Sequence, residues 1–158
     1  MTTTIIFAIA LTITFIVWYI KEKTLSIHSI VTRTREAFYW LAILFTFALG
    51  TASGDLVAEK FNLGYLVSLF LFAGLIAVTT FAYYKLKLNA VWAFWIAYIL
   101  TRPLGASIGD YLSQTNSDGG LGLGTTKTSM IFLSAILILV VYLTLTKKDT
   151  ITTESLPA

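Results

Sequence analysis

The sequence predicts an all-α integral membrane protein with five transmembrane helices, arranged as two parallel two-helix repeats plus one orphan N-terminal helix. Hydrophobic residues make up 57% of the 158 residues and charged residues only 12%, and the mean hydropathy is +0.82. A soluble domain of this length needs more charge to cover its surface. Five apolar runs approach the roughly 20 residues that a helix needs to cross a bilayer, and one pattern occurs twice within them.

The apolar runs define the predicted spans, which cover about residues 3–20, 37–54, 64–84, 91–110 and 128–145. The first run lacks the basic start and cleavage site of a signal peptide, and its Trp18-Tyr19 ending before Lys21 is typical of a membrane interface. We therefore expect it to be retained as a span. The predicted organisation is an orphan helix (1–20), a cytoplasmic juxtamembrane segment (21–36), repeat A (37–87), repeat B (88–148) and a cytoplasmic tail (149–158).

The distribution of lysine and arginine predicts the orientation. Eight of these residues lie in segments 21–36 and 85–89 and at positions 147 and 148, just before the tail, which fall on one side of a five-span protein. The opposite side carries only Lys60 and Lys127. Because cytoplasmic loops carry the excess of basic residues, we expect the N-terminus outside and the C-terminus in the cytoplasm.

The internal repeat is the most specific pattern in the sequence. Between 40–55 and 95–110, at a constant offset of 55, seven of 16 positions are identical, including Trp40 with Trp95 and a terminal Gly-Asp in each copy. A two-span repeat keeps the same orientation in both copies, so an axis along the membrane normal should relate them.

Small residues four apart form one helix face in each repeat. The two predicted ridges are Ala42, Thr46, Gly50 and Gly54, and Ala97, Thr101, Gly105 and Gly109. Such faces let helix backbones approach closely in lipid. Either the ridges are packing seams only, or they flank a substrate path.

Three charged residues form the candidate polar site: Arg102, Asp55 and Asp110. The two acids end their spans at the predicted exterior side, where they either cap the following turn or bind a cation or proton. Arg102 lies about 12 Å deeper than Asp110 on a straight helix. It either lines a solute path, or serves folding by snorkelling outward or by pairing with one of the acids.

Pro103 follows Arg102 directly and removes a backbone hydrogen bond. A kink or break over residues 101–105 is therefore expected, of the kind that transporters use for binding. The first repeat has Phe47-Ala48 at this point, so the departure belongs to the second copy alone.

Several classes of function are disfavoured by composition. The chain has no cysteine and one histidine, and no catalytic triad or metal-hydrolase spacing appears. We expect no enzyme, no cofactor and no bound metal. The net charge of +3 reflects membrane topology, so the expected partner is the lipid bilayer and not nucleic acid. Trp40 and Trp95 begin their spans and are predicted interface anchors.

The strings at 22–30, 35–40, 48–52 and 101–107 resemble a family of uncharacterised bacterial membrane-anchored proteins built from tandem two-span repeats, each with a Trp and a Gly-Asp ending. The resemblance covers nearly the whole chain and implies a helical protein of the bacterial inner membrane, without naming a reaction or substrate. Members of that family typically carry four repeats, and this chain resembles their C-terminal part. The expectation is that either the chain starts late and lacks an N-terminal half, or two copies form a homodimer.

Two functional hypotheses follow from these patterns. The first is passage of a small solute or cation near Arg102, Asp55 and Asp110. The second is a membrane scaffold or partner-binding protein, in which the same charges only hold helices together.

Overall fold

A computed structural model describes residues 1–60 and 63–147, without the side chains of residues 59 and 60. Its long helices are α1 (Thr2–Glu22), α2 (Arg33–Asp55, continued by a π-helical turn over Leu56–Lys60), α3 (Gly64–Lys85), α4 (Ala90–Ser113) and α5 (Gly124–Thr146). Short 3₁₀ turns cover Ile27–Ser29 and Asn116–Asp118. All five helices are long and apolar enough to cross a membrane by length and composition. The predicted tail, 149–158, lies outside the described residues.

Side-chain caps explain where α2 and α4 begin. The Thr32 hydroxyl accepts a hydrogen bond from the Arg35 backbone N–H at 3.3 Å. The Asn89 side chain accepts one from the Val91 N–H at 2.9 Å. Such caps pair backbone donors that the first turn of a helix leaves free. Both repeats therefore enter their first helix through a polar cap that follows the basic connector.

The first helices of the two repeats run parallel. Gly50 of α2 lies against Arg102 of α4, and Gly54, one turn further, lies against Ala106. Because both residue numbers increase together along the contact, α2 and α4 point the same way, as a two-span repeat requires. α1 packs antiparallel along α2: its Thr4 hydroxyl donates to the Ala52 carbonyl at 3.1 Å.

The buried core lies at the end of the molecule where α1 connects to α2. Its members are apolar residues from α1, the connector, α2 and α4: Leu11, Trp18, Leu25, Ala42 and Trp95. α5 contributes almost nothing to packing within the chain, because Thr128 is its only buried residue. The helices α1 to α4 thus form the packed unit, and α5 lies at its edge.

α4 has no break at Pro103. The helix is continuous from Ala90 to Ser113 with Pro103 inside it, so of the kink or break expected over residues 101–105 the break is excluded. Pro103 is buried, and its Cα would lie 3.9 Å from a Cβ placed on Gly54. Packing against a neighbouring helix is what makes proline tolerable inside apolar helices, and α2 supplies that packing here.

Candidate functional site

The two predicted ridges are packed differently. In repeat A, all four residues (Ala42, Thr46, Gly50 and Gly54) are buried. In repeat B, Thr101 and Gly105 are exposed, while Ala97 and Gly109 are partly buried, and a Cβ on either glycine would meet no heavy atom within 4 Å. The second ridge is therefore not a seam with α2, because α4 contacts α2 through a different face.

Arg102 forms the centre of the contact between α2 and α4. A side chain at Gly50 would collide with the Cβ of Arg102, so the glycine is what lets the two backbones approach. The close approach holds the stem of Arg102 against α2, and the guanidinium extends beyond the contact.

Aromatic side chains surround the guanidinium of Arg102. Its Nη2 donates a hydrogen bond to the Tyr98 hydroxyl at 2.6 Å. Its Cζ lies 5.1 Å from the ring centroid of Tyr98 and 5.9 Å from that of Phe47, which are distances at which a cation is attracted to a ring face. The Arg102 Nε is buried and has no hydrogen-bond partner in the described part of the chain.

Among the side chains that the structure describes, no carboxylate forms an ion pair with Arg102. The ion pair observed among them joins Arg35 and Glu22 at 2.6 Å, near the α1–α2 connector. Arg102 lies near the middle of α4, roughly 18 Å from either end at 1.5 Å per residue. The structure therefore does not bring Arg102 into contact with Asp55 or Asp110.

A cleft connects the surroundings of Arg102 to the end of α2. It has a volume of about 480 Å³ between the N-terminal end of α1 and the C-terminal half of α2. On α2 it is lined by Phe47, Thr51 and Asp55, among others, which lie four apart and so share one helix face. Phe47 is also the ring that contacts Arg102. One face of α2 thus runs about 12 Å from the exposed Asp55 carboxylate to Phe47, whose ring contacts the guanidinium.

The two aspartates lie at the same end of the bundle. Asp55 ends α2 and is exposed, whereas Asp110 lies three residues before the end of α4 and is partly buried. Since Gly54 lies level with Ala106, Asp110 is displaced outward from Asp55 by roughly one helical turn. Among the described residues, no group of three His, Cys, Asp or Glu side chains has the arrangement of a metal site.

The two repeat tryptophans lie in opposite environments. Trp40 is 55% exposed, as an interface anchor would be, whereas Trp95 is 2% exposed. The Trp95 Nε1 donates to the Leu25 carbonyl at 2.9 Å, and its ring lies 5.8 Å from that of Trp18. Trp95 is therefore a core residue and not an interface anchor, because α1 and the connector cover it.

Tyr98, Phe47 and Ser107 are site residues that the sequence analysis did not select. Tyr98 lies four residues before Arg102, a spacing at which side chains on a helix meet, so its role was detectable. The Ser107 hydroxyl is buried without a hydrogen-bond partner in the described residues. Nothing in the local sequence indicated this, because its burial depends on how α4 packs.

Comparison with known proteins identifies the repeat. The family model described as Repeat of Unknown Function (DUF347) matches residues 38–89 and again residues 93–149, together more than half of the chain. The two matches begin 55 residues apart, which is the offset of the internal repeat. No curated protein and no solved structure matches the chain.

Proposed function

Because the chain belongs to the DUF347 family of repeats of unknown function, with five helices apolar enough to cross a membrane, we propose that it is an integral protein of the bacterial cytoplasmic membrane that passes a small solute. Its N-terminus is outside and its C-terminus is cytoplasmic. The excess of basic residues in 21–36, 85–89 and 147–148 supports this orientation. The proposal includes no catalytic activity.

Arg102 carries the proposal, because it forms no ion pair with any side chain that the structure describes. Arginine in the middle of an apolar helix is unfavourable by about 2.5–3.5 kcal/mol on insertion scales, so it is normally paired or faces a wet cavity. A purely structural arginine would be expected to meet a carboxylate, and Arg102 meets a neutral hydroxyl and two rings. With Nε also unpaired, this geometry favours a solute that brings its own negative charge or strong acceptor.

The cleft beside α2 provides the approach to this group. Its volume of about 480 Å³ falls within the range of small-molecule sites, and the hydroxyl of Thr51 lies on its lining between Asp55 and Phe47. Asp55, with Asp110 one turn further out, is suited to bind the proton or cation that accompanies an anionic solute. In this proposal Arg102 binds the solute and the acids bind the coupled charge.

A scaffold or partner-binding protein is the second candidate. Two observations favour it: the small-residue face of α4 is open at Gly105 and Gly109, and α5 is exposed along nearly its whole length. Under this alternative Arg102 only stabilises the α2–α4 contact, and no solute crosses the protein.

Swelling of proteoliposomes distinguishes these functions. Purified protein is reconstituted, and swelling in isosmotic media is followed by light scattering. Potassium nitrate or potassium acetate with valinomycin tests the passage of anions. Sodium thiocyanate tests the passage of cations, and urea tests the passage of a neutral solute. We expect anion-dependent swelling above empty liposomes. It should fall by at least about tenfold in Arg102→Gln, because hydrogen bonds to charged groups contribute about 1.5–3 kcal/mol.

Two variants serve as controls. Arg102→Lys keeps the charge and should retain part of the flux, and Arg33→Gln removes an exposed charge at the start of α2 and should leave flux unchanged. Absence of swelling in all arms, with correctly folded protein, would refute solute passage and favour the scaffold. Swelling in sodium thiocyanate alone would refute the anionic solute and assign the passage to cations.

A further inference from the structure

The contact between α2 and α4 has two complementary halves. On α2 it uses ridge A, defined above by Ala42, Thr46, Gly50 and Gly54. On α4 it uses a row that we name stripe B: Trp95, Ile99, Arg102 and Ala106. Ridge A accepts stripe B closely, since a Cβ on Gly54 would lie 3.4 Å from the Cβ of Ala106.

The repeat places a copy of each half elsewhere in the chain. Shifted by 55 residues, ridge A becomes ridge B on α4: Ala97, Thr101, Gly105 and Gly109. Shifted back by 55, stripe B becomes stripe A on α2: Trp40, Leu44, Phe47 and Thr51. Each chain therefore carries a second ridge on α4 and a second stripe on α2.

Within one chain, ridge B and stripe A are only flanked by other helices: Ala97 lines a cleft with α3, and Phe47 lies beside α1 and Arg102. Glycines 105 and 109 of ridge B have room for a side chain. On stripe A, Trp40, Leu44 and Phe47 are 55%, 63% and 60% exposed, whereas Trp95, the counterpart of Trp40, is 2% exposed. Ridge A is thus buried and stripe B is buried or partly buried, whereas most of their repeat counterparts are open.

We propose that this chain forms a homodimer. Ridge B of each copy packs against stripe A of the other copy, so the interface contains two equivalent contacts. The two contacts are related by a twofold axis along the membrane normal and form together, because each chain supplies one ridge and one stripe. Each repeats the internal α2–α4 contact, with Phe47 in place of Arg102 and Thr51 in place of Ala106.

Physical chemistry favours a second copy over lipid at these surfaces. Between apolar helices in a bilayer, association depends on van der Waals packing and is strongest where small residues let backbones approach. Lipid chains cover a glycine groove less closely than a fixed row of Phe and Trp side chains. The surroundings also correspond, because α1 packs on α2 as α3 packs on α4.

The dimer also completes the cleft. Stripe A includes Phe47 and Thr51, which line the cleft beside Asp55, and that cleft is bounded within one chain by α1 and α2 only. Ridge B of the partner supplies a third wall. The interface argument does not rest on solute passage, so the dimer stands or falls independently of the proposed function.

Disulfide trapping tests the register, and the absence of native cysteines makes every cross-link attributable. The pair Thr51→Cys with Gly109→Cys corresponds to the internal Ala106–Gly54 pair, whose Cβ separation of 3.4 Å is close to that of a disulfide. Oxidation in native membranes should convert most of this double variant to a covalent dimer. The matched control, Thr51→Cys with Ile108→Cys, displaces one cysteine by about 100° around α4 and should stay monomeric.

Each outcome decides the proposal. Dimer formation by the Gly109→Cys single variant to the same extent would overturn it in favour of a ridge-to-ridge contact. Equal cross-linking of the control pair would show nonspecific collision, and no cross-linking of the Thr51–Gly109 pair would exclude the contact.

Substitution of ridge B gives a second readout that does not require trapping. Gly105→Leu meets no atom of its own chain within 4 Å, so helix content should be retained while the protein changes from dimer to monomer by light scattering in mild detergent. A monomeric wild-type protein, or a Gly105→Leu variant that remains dimeric, would overturn the proposal.

Discussion

Replacement of Gly50 by alanine tests whether the α2–α4 contact depends on the absence of one side chain. The new Cβ would collide with the Cβ of Arg102. Non-bonded carbon atoms are best separated by about 3.5–4.0 Å, so α2 and α4 must move apart by more than about 1 Å. The flexible end of a side chain cannot absorb this movement, because the obstructing atom is the Cβ itself.

The expected magnitude follows from two opposing effects. Overpacking a close contact destabilises by about 1–3 kcal/mol, and replacing a helical glycine by alanine stabilises by about 0.5–1 kcal/mol. The net loss is therefore about 1–2 kcal/mol. At roughly 2–4 °C per kcal/mol for a chain of this size, the unfolding midpoint should fall by about 2–8 °C.

The assay is thermal unfolding in mild detergent, followed by near-UV circular dichroism of the tryptophan core. Gly74→Ala is the matched control, because a Cβ at this exposed position in α3 would meet nothing within 4 Å. We expect Gly74→Ala to be neutral or slightly stabilising. Equal midpoints for Gly50→Ala and Gly74→Ala would refute the close approach of α2 and α4.

Two further predictions concern the core and the orientation. Trp95→Phe should destabilise the fold by about 1–3 kcal/mol, because it leaves the buried Leu25 carbonyl without its hydrogen-bond donor. In the same unfolding assay the control is Trp92→Phe, at a 57% exposed position. It should change the free energy of unfolding by less than about 0.5 kcal/mol. In intact cells a membrane-impermeant maleimide should label Ser117→Cys in the α4–α5 connection but not His28→Cys in the α1–α2 connector, and the reverse result would contradict the N-terminus-outside orientation.

The helices and their relation were predictable from local patterns. Apolar length predicted five helices, and the five found differ from the predicted runs mainly at their ends, where caps such as Thr32 and Asn89 extend α2 and α4. The constant offset of 55 predicted parallel first helices, which the Gly50–Arg102 and Gly54–Ala106 contacts confirm. Both features depend on composition and order along the chain, which a single sequence contains.

The burial of equivalent residues in the two repeats could not be predicted from the sequence. Trp40 and Trp95 occupy the same repeat position, yet one is exposed and the other buried. The same holds for the glycines of ridge A and ridge B. A repeat pattern shows which residues correspond, but the burial of each residue depends on which helix packs against it. α4 packs against ridge A but not ridge B, and α1 covers Trp95 but not Trp40.

The candidate site was predictable in its charged residues and not in their partners. Arg102 was conspicuous because arginine is rare inside an apolar run, and pairing with Asp55 or Asp110 was one expectation. In the structure it contacts Tyr98 and Phe47 instead, since Asp55 lies more than one helical turn and Asp110 about two turns further along their helices.

By itself the sequence determined an internally duplicated helical protein with five apolar segments of about membrane-spanning length. It could do so because hydropathy and repeat spacing depend only on the order of residues along the chain. Only the tertiary structure decided that α4 passes through Pro103 unbroken and that Arg102 lies among aromatic rings. It also decided that one small-residue ridge is packed while its copy is open. The physical reason is that each of these depends on contacts between helices distant in sequence, and each helix has several faces that would satisfy the same local pattern.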